Sequence, residues 1–236
     1  MDQHLDLDIL ERTELFRGAP EAVLREAQVA SFRKRAYPGD VLYQQGDPAS
    51  SVYVVIVGRL RVTQTTADGH QVIIRYLNSG EMVGYAVISG AKTHAGTTTA
   101  VDDVHLIGWT SEVFRNLMRN HPVIAMNALS VLGTRYQDMQ ARLRESATEK
   151  VEQRIAHALL RLVQQAGRHT SRGIEITFPL SRQDIAEMSG TNLHSASRAL
   201  SAWENEGIVA SGRRRVTVCN PRALALIAEP STSRSV

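Results

Sequence analysis

Arg198 ends the run Gly190-Thr-Asn-Leu-His-Ser-Ala-Ser-Arg198. A guanidinium carries parallel N–H donors that fit O6 and N7 of guanine in the DNA major groove. At helical spacing, His194, Ser195, Ser197 and Ser201 share its exposed face. Those side chains are small and polar enough to enter a groove without bulk. Downstream, Gly212-Arg-Arg-Arg215 forms a basic turn, and Arg213, Arg214 and Arg215 there suit phosphate oxygens. Arg182, Gln183, Thr191 and Asn192, near the starts of two short helices, complete the candidate DNA-binding set.

Those helices follow from caps and apolar spacing. Ser181 can cap the first, with Asp184 at the third helical position. Gly190 can turn left-handed and end it. Thr191 or Asn192 then caps a second helix running to about Glu206. Ile185 and Met188 are expected to face Leu193, Ala196, Leu200 and Trp203. A short helix, a tight glycine turn and a second amphipathic helix make a helix-turn-helix. Strands at Ile208–Ser211 and Val216–Cys219 would flank the basic turn as a hairpin wing, and Gly173–Phe178 reads as a strand in front.

The charge distribution agrees. Residues 1–148 carry 15 Lys and Arg against 16 Asp and Glu, whereas 149–236 carry 12 against 8. Of the 27 basic residues, 24 are Arg, the side chain best shaped for phosphate and guanine. With 236 residues, two domains fit. No stretch approaches the ~20 apolar residues that span a bilayer. The N-terminal MDQHLDLDIL lacks the basic-then-apolar pattern of a secretory leader, so a cytoplasmic location is expected. A lone Cys219 excludes an intrachain disulfide and a cysteine-held iron–sulfur cluster.

Ahead of the reading head, Phe32 to about Thr110 is dense in Val, Ile, Thr and Tyr, with turn signals roughly every ten residues. Segments Val52–Val57, Leu60–Gln64, Gln71–Leu77 and Val104–Trp109 read as strands of an antiparallel barrel or jelly roll. A short helix, Glu21–Val29, precedes them. Residues 122–147 then read as one long helix. Its stripe Ala125, Leu129, Leu132, Tyr136, Met139, Leu143 and Ala147 steps by three and four, close to a coiled-coil seam. Leu129, Leu132, Tyr136, Met139 and Leu143 are the candidate dimer contacts. Ser146-Ala-Thr-Glu149 resembles a capping box, so a new helix over 149–166 is expected to begin there, with Val151, Ile155, Leu159 and Leu162 on one face.

The whole chain resembles the CRP/FNR family of bacterial transcription regulators. Gly39-Asp40, Gly46-Asp47, Val57-Gly58, Gly80-Glu81-Met-Val-Gly84, the run 149–162 and Leu180–Trp203 carry the resemblance. It implies an α+β fold: an antiparallel, cyclic-nucleotide-binding-like β-roll sensor over 1–120, a dimerisation helix over 121–147, a winged helix-turn-helix over 148–226 and a disordered tail over 227–236. It also implies a homodimer that binds an inverted repeat in double-stranded DNA and works with RNA polymerase. Arg198 matches the family's guanine reader, and Ser197 the serine before it. His194 stands where most members have Glu, and Leu193 replaces a polar or basic residue. The implied half-site is TTG-like, with the base facing His194 left open. The run from Gly190 through Trp203 is similar to the NnrR-like subgroup, which implies a response to nitric oxide or related nitrogen oxides in denitrification.

For the sensor, the resemblance places His94 and Ala95 where cyclic-AMP binders carry an Arg-Ser pair. A neutral imidazole replaces a bidentate guanidinium poorly, so cyclic AMP is not expected. The effector pocket is expected around Tyr85, His94, Arg135 and Tyr136. The eight histidines leave room for a non-covalent haem; no other metal site is expected. Two alternatives remain. One is a regulator without an effector, governed by its own expression level. The other is a cupin-like metalloenzyme, opposed by the absence of any His-x-His pair and of hydrolase, P-loop or zincin motifs. No catalytic residue is expected.

Overall fold

A computed structural model describes residues 3–229. The chain separates into two compact units, with the division after Met139.

The first unit opens with helices α1 (Gln3–Arg12) and α2 (Glu21–Val29). Two four-stranded antiparallel sheets follow. One has the order β1 (Phe32–Ala36), β8 (Val104–Thr110), β3 (Ser51–Val57), β6 (Met82–Val83). The other has β2 (Val41–Tyr43), β7 (Thr97–Ala100), β4 (Leu60–Thr65), β5 (Gln71–Leu77). The short helix α3 (Tyr85–Ser89) lies between β6 and β7, and α4 (Ser111–Asn120) follows β8. The four anticipated strands are present within one residue at each end; α1 was not anticipated.

β3 shows why the roll holds together. Successive side chains point to opposite sides of a strand. Val52, Val54 and Ile56 join Phe16, Trp109, Phe114 and Ile124 in a core against the helices. Tyr53 and Val55 join Leu42, Leu60, Leu77 and Leu106 in a second core. A strand buried on both faces reads as an unbroken apolar run, as Val52–Val57 does. Trp109 is fully buried, and its indole N–H donates to the Ala27 carbonyl at 2.7 Å.

Helix α5 (Pro122–Thr148) carries two stripes. Ile124, Ala128 and Val131 are buried, all three against the helix-side core. The expected seam faces elsewhere: Leu129, Tyr136, Met139 and Leu143 are 57–71% exposed, and Leu132 is half-buried. The expected cap at Ser146 is not used. The helix runs through it to Thr148, and α6 (Val151–Ala166) begins after Lys150. There the Lys150 N–H donates to the Gln153 side-chain oxygen at 2.9 Å, which places the joint four residues later than expected.

The second unit packs Ile155, Ala156, Ala158, Leu159 and Leu162 of α6 inward. β9 (Gly167–Thr170), not anticipated from the sequence, pairs with β10 (Gly173–Ile176), which stops two residues short of the expected strand end. These strands extend the wing sheet, in the order β11-β12-β10-β9, with β11 at Val209–Gly212 and β12 at Arg215–Val218. Between β10 and β11 lie α7 (Arg182–Ser189) and α8 (Leu193–Asn205). The expected tail start at 227 is corrected: α9 (Pro221–Ala228), capped by Asn220, continues through it. The rest of that expectation, from residue 230, lies outside the described residues.

Candidate nucleic-acid interface and sensor site

The caps of the reading head form as the sequence suggests. Ser181 Oγ accepts from the Asp184 N–H at 3.1 Å, and Asp184 Oδ2 accepts from the Ser181 N–H at 2.8 Å. Gly190 takes φ 60 at the end of α7, a left-handed turn that glycine adopts without steric penalty. Of the two candidate caps for α8, Asn192 is used: its Oδ1 accepts from the Ser195 N–H at 2.8 Å. Ile185 and Ala186 of α7, with Ala196, Ala199, Leu200 and Trp203 of α8, are buried. Leu193 is corrected: as the first residue of α8 it is 47% exposed rather than buried with the others.

The arginines divide into two kinds. Arg182 is engaged within the domain. It donates to the Ser197 carbonyl at 3.2 Å, Ser201 Oγ at 3.0 Å, Glu204 at 3.0 Å and Ser211 Oγ at 3.3 Å. Ser211 also bonds Glu204. One guanidinium thus joins α7, α8 and β11. Arg198 is different. It is exposed, and among the described residues it makes no hydrogen bond or ion pair. Thr191, Ser195, Ser197 and Ser201 around it are partly exposed; His194 and Gln183 are exposed, and Gln183 donates to Glu187 at 2.9 Å.

At the wing, β11 and β12 pair Gly212 with Arg215, leaving a two-residue turn of Arg213 and Arg214. This turn is tighter than the expected four-residue one. Arg213, Arg214 and Arg215 are all exposed. Arg214 has φ 58, the one non-glycine in the left-handed region among the described residues. Such a backbone costs on the order of 1–2 kcal/mol in a residue with a Cβ.

In the first unit, Tyr85 and Arg135 do come together. Tyr85 Oη accepts from Arg135 at 3.1 Å and from Arg75 at 3.3 Å. Both arginines also reach Glu81, Arg135 at 3.1 Å, and Arg135 bonds Glu14 at 3.1 Å. Tyr85 follows Gly84, which has φ 96; a Cβ there would lie 2.6 Å from the Ser51 carbonyl. Burial raises the Tyr85 phenol, and the two arginines oppose that rise. His94 belongs to a different contact. It is 5% exposed and lies face to face on Tyr43, with ring centroids 3.5 Å apart. Burial pushes the Tyr43 phenol up to about 12. Both rings line a hollow of about 470 Å³ with Lys34, Asp47 and Tyr53. Tyr136 lies on the exposed stripe of α5. Sequence reasoning missed Tyr43, Arg75, Glu14 and Glu81; a lone Arg inside the otherwise largely apolar strand Gln71–Leu77 is the signal that Arg75 offered. Among the described residues, no three His, Cys, Asp or Glu side chains are grouped as a metal site, and no helix is long and apolar enough to cross a membrane.

Burial holds the His94 imidazole below its ordinary range, and Asp47 opposes that. The unfolded chain, with an ordinary value of ~6.5, binds a proton there that the folded chain resists. Stability is therefore undiminished by this group above that value and falls as pH drops through it. His94→Gln should lower stability at all pH values yet flatten the decline between about pH 7.5 and about pH 5.5 in urea titrations. Parallel declines in both proteins would contradict the assignment.

Comparison with known proteins agrees with this geometry. A Crp-like helix-turn-helix domain model matches residues 153–227, and a cyclic nucleotide-binding domain model matches 33–121. The chain is 30% identical over 217 residues to the cyclic AMP receptor protein of Thermus thermophilus, covering 91% of this chain and 95% of that one. It is 26% identical over 190 residues to the nitrogen fixation regulation protein FixK of Rhizobium meliloti, covering 79% and 82%. The structure of FixK2 from Bradyrhizobium japonicum shares the fold, with a TM-score of 0.75 at 20% identity over 85% of this chain and 98% of that one. A β-roll followed by a long helix and a winged reading head, over nearly the full length of a relative at this identity, identifies the chain as a member of the CRP/FNR family of DNA-binding transcription regulators, not an enzyme.

Proposed function

We propose that the protein is a homodimeric regulator that binds an inverted repeat with TTG-like half-sites. The observation that carries this is the unengaged Arg198 on a helix whose other arginine-facing groups are tied inward through Arg182. Arg198 reads guanine through O6 and N7. His194, one turn earlier, reads a neighbouring base with a single donor or acceptor. Gln183, Thr191, Asn192, Ser195 and Ser197 line the approach, and Arg213, Arg214 and Arg215 meet phosphate. A non-glycine residue at φ 58 fits a tip whose side chain is needed. Arg198→Ala should weaken binding to a TTG inverted repeat by ~1–3 kcal/mol and relax its guanine preference. Arg214→Gly should weaken all duplexes alike and flatten the salt dependence. Fluorescence anisotropy on matched and scrambled duplexes measures both; an unchanged preference in Arg198→Ala removes it from the reader.

Dimerisation is supported by the exposed stripe of α5. Leu129, Met139 and Leu143 expose 60–71% of their surface at coiled-coil spacing, and Leu132 and Tyr136 complete the row. A second copy of the same helix buries such a stripe with twofold symmetry. That symmetry sets two recognition helices ~34 Å apart, one turn of DNA. Met139→Glu, on an exposed position of the single chain, should give monomers in sedimentation velocity without loss of helix content. A dimer of undiminished affinity would exclude the seam.

For the signal, we carry nitric oxide or related nitrogen oxides from the resemblance, with non-covalent haem as the means of sensing. His94, whose imidazole burial holds below its ordinary range, lines the 470 Å³ hollow and is the residue that would hold the iron. The same His94 and Ala95 disfavour cyclic AMP, because no guanidinium stands at that pair. Haem reconstitution should give a Soret band that shifts with nitric oxide and is lost in His94→Gln; no shifted band would count against haem sensing. The cytoplasm and RNA polymerase are the setting and partner that such a regulator implies.

A further inference from the structure

Arg154 of α6 makes three backbone contacts. Its Nε donates to the Ser189 carbonyl at 3.0 Å, and one terminal nitrogen donates to the Gly190 carbonyl at 3.3 Å. Its other terminal nitrogen donates to the Glu149 carbonyl at 3.0 Å. Ser189 and Gly190 end α7 and lead directly into the cap of α8. Glu149 is the first residue after α5. A planar group with fixed donor directions therefore holds the α5–α6 joint and the entry turn of α8 in one geometry. Cation and acceptors are also matched in sign, since the C-terminal end of a helix carries partial negative charge.

We infer that Arg154 is the positioning residue that sets the recognition helix against the joint, so that the pose of α8 follows the geometry at Glu149. All three acceptors are main-chain oxygens, so the link does not depend on which side chains stand at 149, 189 and 190. Ser189 adds no alternative tie: its hydroxyl is turned back to the Ile185 carbonyl at 2.7 Å. The other bonds at the joint act elsewhere. Arg161 holds Glu145 at 2.8 Å, and Gln153 reaches the Glu229 carbonyl at 2.7 Å. Neither touches the turn before α8. Lysine, with one nitrogen, cannot span the three carbonyls.

The inference rests on the proposal that α8 reads DNA, and the test separates the two. Full-length wild type, Arg154→Gln and Arg154→Lys are compared by amide hydrogen exchange without DNA and by affinity for a TTG inverted repeat and a scrambled duplex. In Arg154→Gln, amides at 149–154 and 190–196 should exchange about tenfold faster while the buried turns of α6 and α8 stay protected. Its preference for the repeat should fall about tenfold with scrambled-duplex affinity unchanged. Arg154→Lys, which keeps charge and folding, should show the same pattern more weakly. Unchanged exchange at 190–196, or acceleration spread evenly over the unit in both variants, would overturn the inference. A wild type with no preference for the repeat would count against the DNA reading alone, and the exchange data would still decide the role of Arg154.

Discussion

Arg182 and Glu204 face each other at 3.0 Å, each about a third exposed, across the gap between α7 and α8. Their pairing, with Ser197, Ser201 and Ser211, fixes the angle between the helices and seats the wing strand beside them. Partial exposure screens the charge term, so the pair adds modestly to stability. Its larger consequence is geometric. A fork of several donors cannot follow one helix without the other, so α8 presents Arg198 outward while Arg182 is consumed inside. A reading side chain works best on a rigid helix held by its neighbours, and α8 is held so.

The first unit uses charge in a different way. Arg75, Arg135, Glu14 and Glu81 gather around the Tyr85 hydroxyl, joining a strand, the long helix and the segment after α1. Four partly buried charges of balanced sign can be held only if each finds partners. Arg135 lies on the same helix as the exposed apolar stripe, one residue before Tyr136. Arg135 thus ties α5 directly to Tyr85 and Glu81 through side-chain contacts. Any effector moves this arrangement only by its difference in affinity between two states.

The strands were legible because β3 alternates between two apolar cores and because turn glycines punctuate the roll. The caps at Ser181 and Asn192 were legible because each depends on a side chain within three residues. What was hidden depends on partners far away in sequence. Arg182 reads as a groove contact until Glu204 and Ser211 are seen beside it. Tyr43 reads as an ordinary strand residue until His94, 51 positions later, stacks on it. The sequence around Ser146 fits a capping box, but nothing stops α5 there, and the Gln153 bond to Lys150 sets the break instead. β9 was missed because all four residues are exposed, leaving no apolar alternation to find.

The central claim is that a symmetric pair of these chains lays Arg198 against guanine in two successive major grooves. Dimethyl sulfate methylates guanine N7, the atom that Arg198 would cover. A methylation-protection footprint on an inverted-repeat duplex should show two guanines shielded on opposite strands, about 10 base pairs apart, and both exposed again with Arg198→Ala. A single shielded guanine, or full methylation of both at saturating protein, would contradict the account.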